Sequence, residues 1–397
     1  MKACRACNSA DLELVIDLGE QSPPNALANF RQPQKTYPLR MVVCKTCWLM
    51  QTEVDVPHDE IFDADYPYFS GQSQDWVEHC KRYAADMTAR FDLGPRSYVI
   101  EIGGNDGTLL KNFTGPRLNV EPCANVARAA IEAGVPTTIA AWQGLTRNPW
   151  YKAHLIVANN VMAHSPDLNG FIERIHDWLA TEGVATIEFP WVLNTILETQ
   201  FDTIYHEHYS YLALTPLLPL FARHGMRIFD VEELPTHGGS LRIYVAQDYR
   251  SLTHQTQTAK ITEFLVREAP LTDMATYQAF RERAAKVKSD MWSLLKEVGP
   301  MYGYGAAAKG SVFLNYCGLT EQEIPFIADT TPAKQGKFMP NSQIPVVAEK
   351  ELIERQPEWV LILPWNWRRE IIRKLRPALP RTKFVTAIPE LIVSEPA

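Results

Sequence analysis

The 397-residue chain contains no run approaching the roughly 20 apolar residues that a membrane-spanning helix needs. Its start, MKACRACNSADLELV, holds no apolar stretch able to act as a signal peptide. No block of consecutive Lys or Arg relieves a formal net charge of -7, so the electrostatic footprint of a nucleic-acid binder is missing. These absences predict a cytoplasmic protein that engages neither membrane nor nucleic acid. A small phosphorylated ligand stays compatible, because a pocket can be basic on an acidic protein. Disorder is excluded by a composition that is 46% hydrophobic and rich in Trp, Tyr and Phe.

The length exceeds one ordinary core and suggests two or three domains. Residues 1–70 are dense in Pro, Gln, Asp and Cys and read as loops with short strands. Over 71–255, short apolar runs (SYVIEIG, LNVEP, HLIVANN, GVATIEFP) alternate with helical stretches, the rhythm of a parallel sheet with crossover helices. Residues 256–298 read as two amphipathic connecting helices, and the alternation restarts over 299–397 with MYGYGAAAKG, IPFIADTT, WVLILPW and KFVTAIP. The expected fold class is α/β: a small metal-bearing module followed by two Rossmann-like units.

Seven cysteines in a reducing compartment are thiols or metal ligands before they are disulfides. Cys4-Arg-Ala-Cys7 and Cys44-Lys-Thr-Cys47 are two C-x-x-C knuckles, which together supply the four-sulfur tetrahedron Zn2+ prefers. Such a site is closed and structural. A redox C-x-x-C would need a thioredoxin-like strand-helix junction that is not apparent here.

VIEIGGNDGTLL, residues 99–110, is a strand, a glycine turn and a helix start, with Glu101, Gly103, Asn105 and Gly107 placed to approach a ligand. Glu121, ending the next strand, can take both hydroxyls of a ribose. The spacing fits NAD or S-adenosylmethionine equally. EIGGNDG, however, resembles the E/D-x-G-x-x-x-G loop of class I methyltransferases more than the G-x-G-x-x-G of dehydrogenases. Asn159 and Asn160 would then flank the methionine end of the donor.

His164, after that third strand, is as readily a structural residue as a reactive one. Tyr205-His206-Glu207-His208 contains H-x-H, but with no third ligand in view it reads as acid-base chemistry: imidazoles titrate near neutrality, a carboxylate can orient one, and a phenol can hydrogen-bond an oxyanion. YPYFS, with Tyr66 and Tyr68, is either aromatic packing or a substrate contact. THGGSLR offers His237, Gly238 and Arg242 for close ligand approach. In the last unit, Ala307 and Lys309 open a helix suited to a pyrophosphate, Asp329 is a second ribose-binding acid or a turn cap, and Lys337 belongs to a loop that either is solvated or faces phosphate.

In order, C-x-x-C…C-x-x-C, YPYFS, EIGGNDG, AHSPDL, YHEHYSYL, THGGSLR and GYGAAAKG resemble the zinc-containing, S-adenosylmethionine-dependent C-methyltransferases that act on nucleotide-linked keto-sugars. The resemblance covers nearly the whole chain. It implies structural zinc in the first module, the methyl donor in the middle domain, and a nucleoside-diphosphate sugar held with help from the C-terminal domain. It implies an active site of Tyr66 or Tyr68, His164, Tyr205, Glu207 and His208. The implied reaction is methylation at C3, or alternatively C5, of a 4-keto-6-deoxy sugar in deoxysugar biosynthesis. His208 would be the base, Glu207 would orient it, and Tyr205 or His164 would stabilise the enolate. His206 should point elsewhere. A monomer or weak homo-oligomer is expected. Two rivals are an NAD-dependent nucleotide-sugar dehydrogenase or epimerase, which lacks its G-x-G-x-x-G and Tyr-x-x-x-Lys here, and a zinc-bearing scaffold with a degenerate methyltransferase fold.

Overall fold

The computed structural model describes residues 3–57, 61, 69–145, 151–248 and 254–396. Three antiparallel strands open the chain: β1 (Leu12–Gln21), β2 (Tyr37–Cys44) and β3 (Met50–Thr52). Cys4 and Cys7 precede β1, while Cys44 ends β2 and Cys47 lies in the turn to β3. Both knuckles therefore meet at one end of the sheet. A fourth strand, Ser210–Tyr211, joins it from far along the sequence, pairing with Met50 and Gln51.

The middle domain begins with α1 (Gln74–Arg90). Ser73 caps it by accepting a hydrogen bond from the Trp76 N–H, and Cys80, Tyr83, Ala84 and Met87 form its buried face at i, i+3, i+4 and i+7. Then follow β4 (Val99–Ile102), β5 (Arg117–Glu121), α2 (Ala124–Glu132), β6 (Thr137–Ile139), β7 (Ala153–Asn159), α3 (Leu168–Trp178), β8 (Leu179–Pro190), α4 (Val192–Leu197), β9 (Ser210–Tyr211), α5 (Leu214–Arg223), β10 (Met226–Leu234) and β11 (Ser240–Gln247). Seven of these strands form one sheet in the order β10-β11-β8-β7-β4-β5-β6. Strands β4 to β8 are parallel, and β11 runs against both β8 and β10. The near-continuous apolar burial of β4, β7 and β8 follows from helices covering both faces. The chain winds outward through β5 and β6, then returns to continue on the other side through β7 and β8. This reversal opens a crevice at the carboxyl ends of β4 and β7, the place where ligands enter such sheets. The arrangement is the class I methyltransferase fold.

Helices α6 (Thr258–Glu268) and α7 (Met274–Val298) lead to the third unit. The carboxylate of Glu268 is fully buried and accepts from Trp191 Nε1 and from the N–H groups of Leu214 and Thr215, which locks α6 to the start of α5. The last domain comprises β12 (Tyr302–Tyr304), α8 (Ala308–Cys317), β13 (Ile327–Asp329), β14 (Val346–Ala348), α9 (Glu349–Arg355), β15 (Trp359–Ile362), α10 (Arg368–Leu375), β16 (Lys383–Thr386) and β17 (Ile392–Ser394). Its six strands lie in the order β14-β13-β12-β15-β16-β17, parallel except β17, and the order of winding again reverses between β12 and β15. Among the described residues, no helix is long and apolar enough to cross a membrane.

Candidate active site

A cavity of about 830 Å³ lies where the three units meet, at the carboxyl ends of β4 and β7. Its inner wall is the turn after β4. Gly103 and Gly104 let the backbone pass close to the cavity; a Cβ on Gly104 would lie 2.4 Å from Asn119 Oδ1 and 2.8 Å from Glu101 Oε2. Asn105, at φ 52°, donates its N–H to Glu121 Oε2 (3.0 Å), whose other oxygen accepts from the Cys123 N–H (2.8 Å). The Asn105 side-chain oxygen accepts from the Ser70 N–H at 2.9 Å, tying the entrance of α1 to the turn.

The same wall carries polar atoms left over from folding. Glu101 Oε2, both side-chain amide atoms of Asn159, and Oδ1 of Asn160 are buried without a hydrogen-bond partner among the described residues. Glu101, Asn159 and Asn160 all line the cavity. Buried polar atoms are normally paired, so this set is suited to a polar ligand. Burial, reinforced by Glu121 and Asp106, pushes the Glu101 carboxyl up to about 8. An α-amino group or sulfonium beside it would return it to the carboxylate. The pair of unfilled asparagines, the acid at the second strand and the glycine turn together fit S-adenosylmethionine.

Opposite lies the segment 203–212. His164, ending a short turn after β7, has Nδ1 at 2.7 Å from the Glu207 carbonyl oxygen. A carbonyl only accepts, so Nδ1 carries a proton and donates it to that bond. The His208 ring lies 4.7 Å from that of His164 and 4.3 Å from that of Tyr205. Tyr205 is held by its N–H, which donates to Tyr211 Oη (3.1 Å), and burial raises its phenol far above the ordinary range. The Glu207 carboxylate accepts from Asn25 Nδ2 at 2.6 Å, and burial pushes it up to about 7. Thus the carboxylate expected to orient His208 is held by a residue of the first module, while the Glu207 main chain holds His164. His164, Tyr205, Glu207 and His208 share the cavity. His206 faces away: its ring packs edge-on to Tyr37, with Nε2 3.3 Å from the Tyr37 carbonyl. That divergence follows from a turn over residues 205–208, closed by the His208 N–H donating to the Tyr205 carbonyl at 3.0 Å.

The third wall comes from the C-terminal domain and includes Ala307, Lys309, Lys334, Asn366 and Trp367. Lys309 Nζ donates to Asn366 Oδ1 (3.0 Å) and sits 4.6 Å from the Trp365 ring centroid, while Lys334 Nζ donates to the Ala306 carbonyl (2.8 Å). Burial lowers the Lys309 ammonium, against the pull of Asp202.

Several sequence candidates lie elsewhere. Arg242 does not line the cavity. It is 3% exposed within β11 and pairs with Glu188 (2.9 Å) and Glu232 (3.1 Å), because strand alternation turns it into the sheet face. Asp329 braces its own turn, accepting from Ala306 N–H and Thr331 N–H (2.7 Å each), and is not in the wall. Gly107 packs toward Val135, Gly238 toward Gln200 and Trp365, and Lys337 is likewise outside the wall. Tyr66, Tyr68 and the His237 side chain fall outside the described residues. Asn25, Gln143 and Trp367 line the cavity without having been marked by any motif, while Lys334, from the same loop as Lys337, is the lysine of that loop that reaches it.

At the far end of the first module, the sulfurs of Cys4, Cys7, Cys44 and Cys47 lie within 4.8 Å of one another, with Cys4–Cys47 at 3.5 Å and Cys7–Cys44 at 3.6 Å.

Residues 4–62 match a family described as "Putative zinc binding domain", 76–231 a "Methyltransferase domain" and 235–389 a "C-methyltransferase C-terminal domain". The C-methyltransferase NovU of Streptomyces niveus is 32% identical, the match covering 98% of this chain and 95% of that protein. Among solved structures, magnesium protoporphyrin IX methyltransferase of Synechocystis with bound SAM is 12% identical over 43% of this chain and 79% of its own, with a TM-score of 0.34. The PH0226 protein of Pyrococcus horikoshii is 12% identical over 46% and 96%, with a TM-score of 0.38. With all three domain types matched in order and a relative aligned end to end, the chain belongs to the C-methyltransferase family that joins a zinc-binding domain, a SAM-dependent methyltransferase domain and a dedicated C-terminal domain.

Proposed function

We propose that the protein methylates a ring carbon beside the ketone of a nucleoside-diphosphate 4-keto-6-deoxy sugar, at C3. The observation that carries this reading is that one cavity joins the donor loop, two imidazoles with a buried phenol, and two lysines. S-adenosylmethionine supplies an electrophilic methyl group when bound. Glu101, Asn159 and Asn160 would hold its methionine end, and Glu121 its ribose.

The chain's own residues then have to make a carbanion. A C–H next to a ketone is acidic because charge spreads to oxygen. His208 takes that proton, and the Tyr205 hydroxyl, whose proton is firmly held, donates to the developing enolate oxygen. His164, with Nδ1–H on the Glu207 carbonyl, is held with its ring beside that of His208. Held at the donor loop, the donor would give its methyl to the enolate carbon and leave as the neutral thioether, S-adenosylhomocysteine, the S–CH3 bonding pair staying on sulfur; His208 returns its proton to solvent. Lys309 and Lys334 hold the diphosphate. The four cysteines suit Zn2+ by donor chemistry and spacing, and a closed S4 site confers stability rather than reactivity.

The test is a panel of nucleotide-linked 4-keto-6-deoxy sugars incubated with labelled donor, followed by mass spectrometry and NMR of the product. A methyl at C5 would relocate the reaction, and binding of neither donor nor nucleotide by calorimetry would favour a scaffold. In D2O with S-adenosylhomocysteine, wild type should exchange the C3 proton. His208→Asn should abolish that exchange while His164→Asn retains it, and the converse would make His164 the base. Metal analysis should find one zinc per chain, lost in Cys44→Ser.

A further inference from the structure

We infer that Asn25, in the loop between β1 and β2, is a positioning residue for the methyl-transfer site: its side-chain amide anchors the Glu207 carboxylate against the cavity. The inference deepens the proposed function and rests on it for its kinetic readouts.

Asn25 and Glu207 are remote in sequence and belong to different units, yet Nδ2 lies 2.6 Å from Oε1 and both residues line the cavity. Glu207 is only 4% exposed. A buried carboxyl needs a partner, and an amide supplies a donor that cannot itself titrate across the working range. Glu207 is also where the units are joined, since its main-chain carbonyl takes the proton of His164 Nδ1 while its side chain reaches the first module. Moving the carboxylate therefore moves the imidazole. The titratable groups around Glu207 are Tyr205 and Tyr211, which feel its charge, together with His164 and His208. Burial pushes the Glu207 carboxyl up and the Asn25 donor opposes that push. Without the donor, the carboxyl titrates higher still.

The test uses full-length zinc-loaded protein with Asn25→Ala and the isosteric Asn25→Asp, in which an acceptor faces an acceptor. Zinc content and donor affinity by calorimetry establish that each variant is folded. The Glu207 titration is read by infrared difference spectroscopy, with Glu207→Gln as the blank, and needs no sugar. Both variants should raise it by about one pH unit. On an accepted keto-sugar, the acidic limb of the kcat profile should rise equally, with kcat at pH 7 down about 10-fold and KM within about 3-fold. A Glu207 titration unchanged in Asn25→Asp would overturn the inference whether or not any sugar is turned over. If no sugar in the panel is methylated by wild type, the functional reading falls, and a shifted titration would still stand for Asn25. If Asn25→Ala alone fails to fold, Asn25→Asp decides.

Discussion

In the middle domain, the glycine turn after β4 is braced by Glu121, which accepts the N–H groups of Asn105 and Cys123; in the C-terminal domain, the turn after β12 is braced by Asp329, which accepts those of Ala306 and Thr331. Strand, glycine turn, helix and a second-strand acid are thus repeated. The two differ in what surrounds the turn. Around the first stand a raised carboxyl and two unfilled amides; around the second stand Lys309 and Lys334. The longer Glu121 reaches the cavity and Asp329 does not. A shared backbone device therefore leaves the sign of the ligand's charge to a handful of side chains: the first suits a cationic donor, the second a diphosphate.

The sharpest way to break this division is to fill each turn. Gly104→Ala places a Cβ 2.4 Å from Asn119 Oδ1, so donor affinity should fall about 100-fold or more, with nucleoside-diphosphate affinity kept. Gly305→Ala, at φ 87° and 2.5 Å from Pro364, should do the reverse. Calorimetry with each ligand on both variants checks this, and equal losses would mean that the turns are not separate sites. Next, removing charge on one side only, Lys309→Ala or Lys334→Ala should weaken nucleoside diphosphate by roughly 10- to 100-fold and leave donor binding within about 2-fold.

A third test exploits the raised Glu101. A cationic ligand needs the carboxylate, so below about 8 the carboxyl must lose its proton when the donor binds, and affinity should grow with pH up to that value. Folding has the opposite dependence. The neutral group's contribution is fully present below the unfolded value of 4.5 and is lost as pH rises through about 8. Urea midpoints of the ligand-free protein should therefore fall over that window; Glu101→Gln should flatten the binding trend and lessen the stability trend, the remainder belonging to Glu207 and Asp202, raised to about 7 and about 6. The smallest effect separates the two acids. Asp329→Asn should cost about 1–2 kcal/mol of C-terminal domain stability with donor affinity unchanged, whereas Glu121→Gln should weaken donor binding several-fold. Thermal melts paired with calorimetry distinguish them.

Much of this was legible because it is local. The C-x-x-C spacing brings sulfurs together on two turns, and EIGG sits at a strand end by hydrophobic run alone; His206 and His208 diverge because 205–208 is a turn, closed by the His208 N–H on the Tyr205 carbonyl, where an extended chain would have sent both the same way. Strand alternation explains a miss: Arg242 follows Gly-Gly-Ser-Leu, which looks like a ligand loop, but it lies inside β11, where it is turned toward Glu188 and Glu232. Asn25 had no signal, since a lone asparagine in a proline-rich loop carries no period and its partner is set by tertiary packing. Lys334 and Lys337 are equivalent in sequence; only the path of the loop sends Lys334 to the Ala306 carbonyl and the cavity.

The pairing of Ser210 and Tyr211 with β3 also sets an order of events during synthesis. The first module emerges early, yet its sheet lacks its outer strand until about 160 residues more have left the ribosome. Until then β3 presents an open edge with Met50 and Gln51, the kind of edge that invites pairing with another chain. Metal capture by four cysteines already released can hold the knuckles closed through that interval. Chains cut short before residue 210 should aggregate, and those extended through β11, which closes the edge of β8 as well, should do so far less.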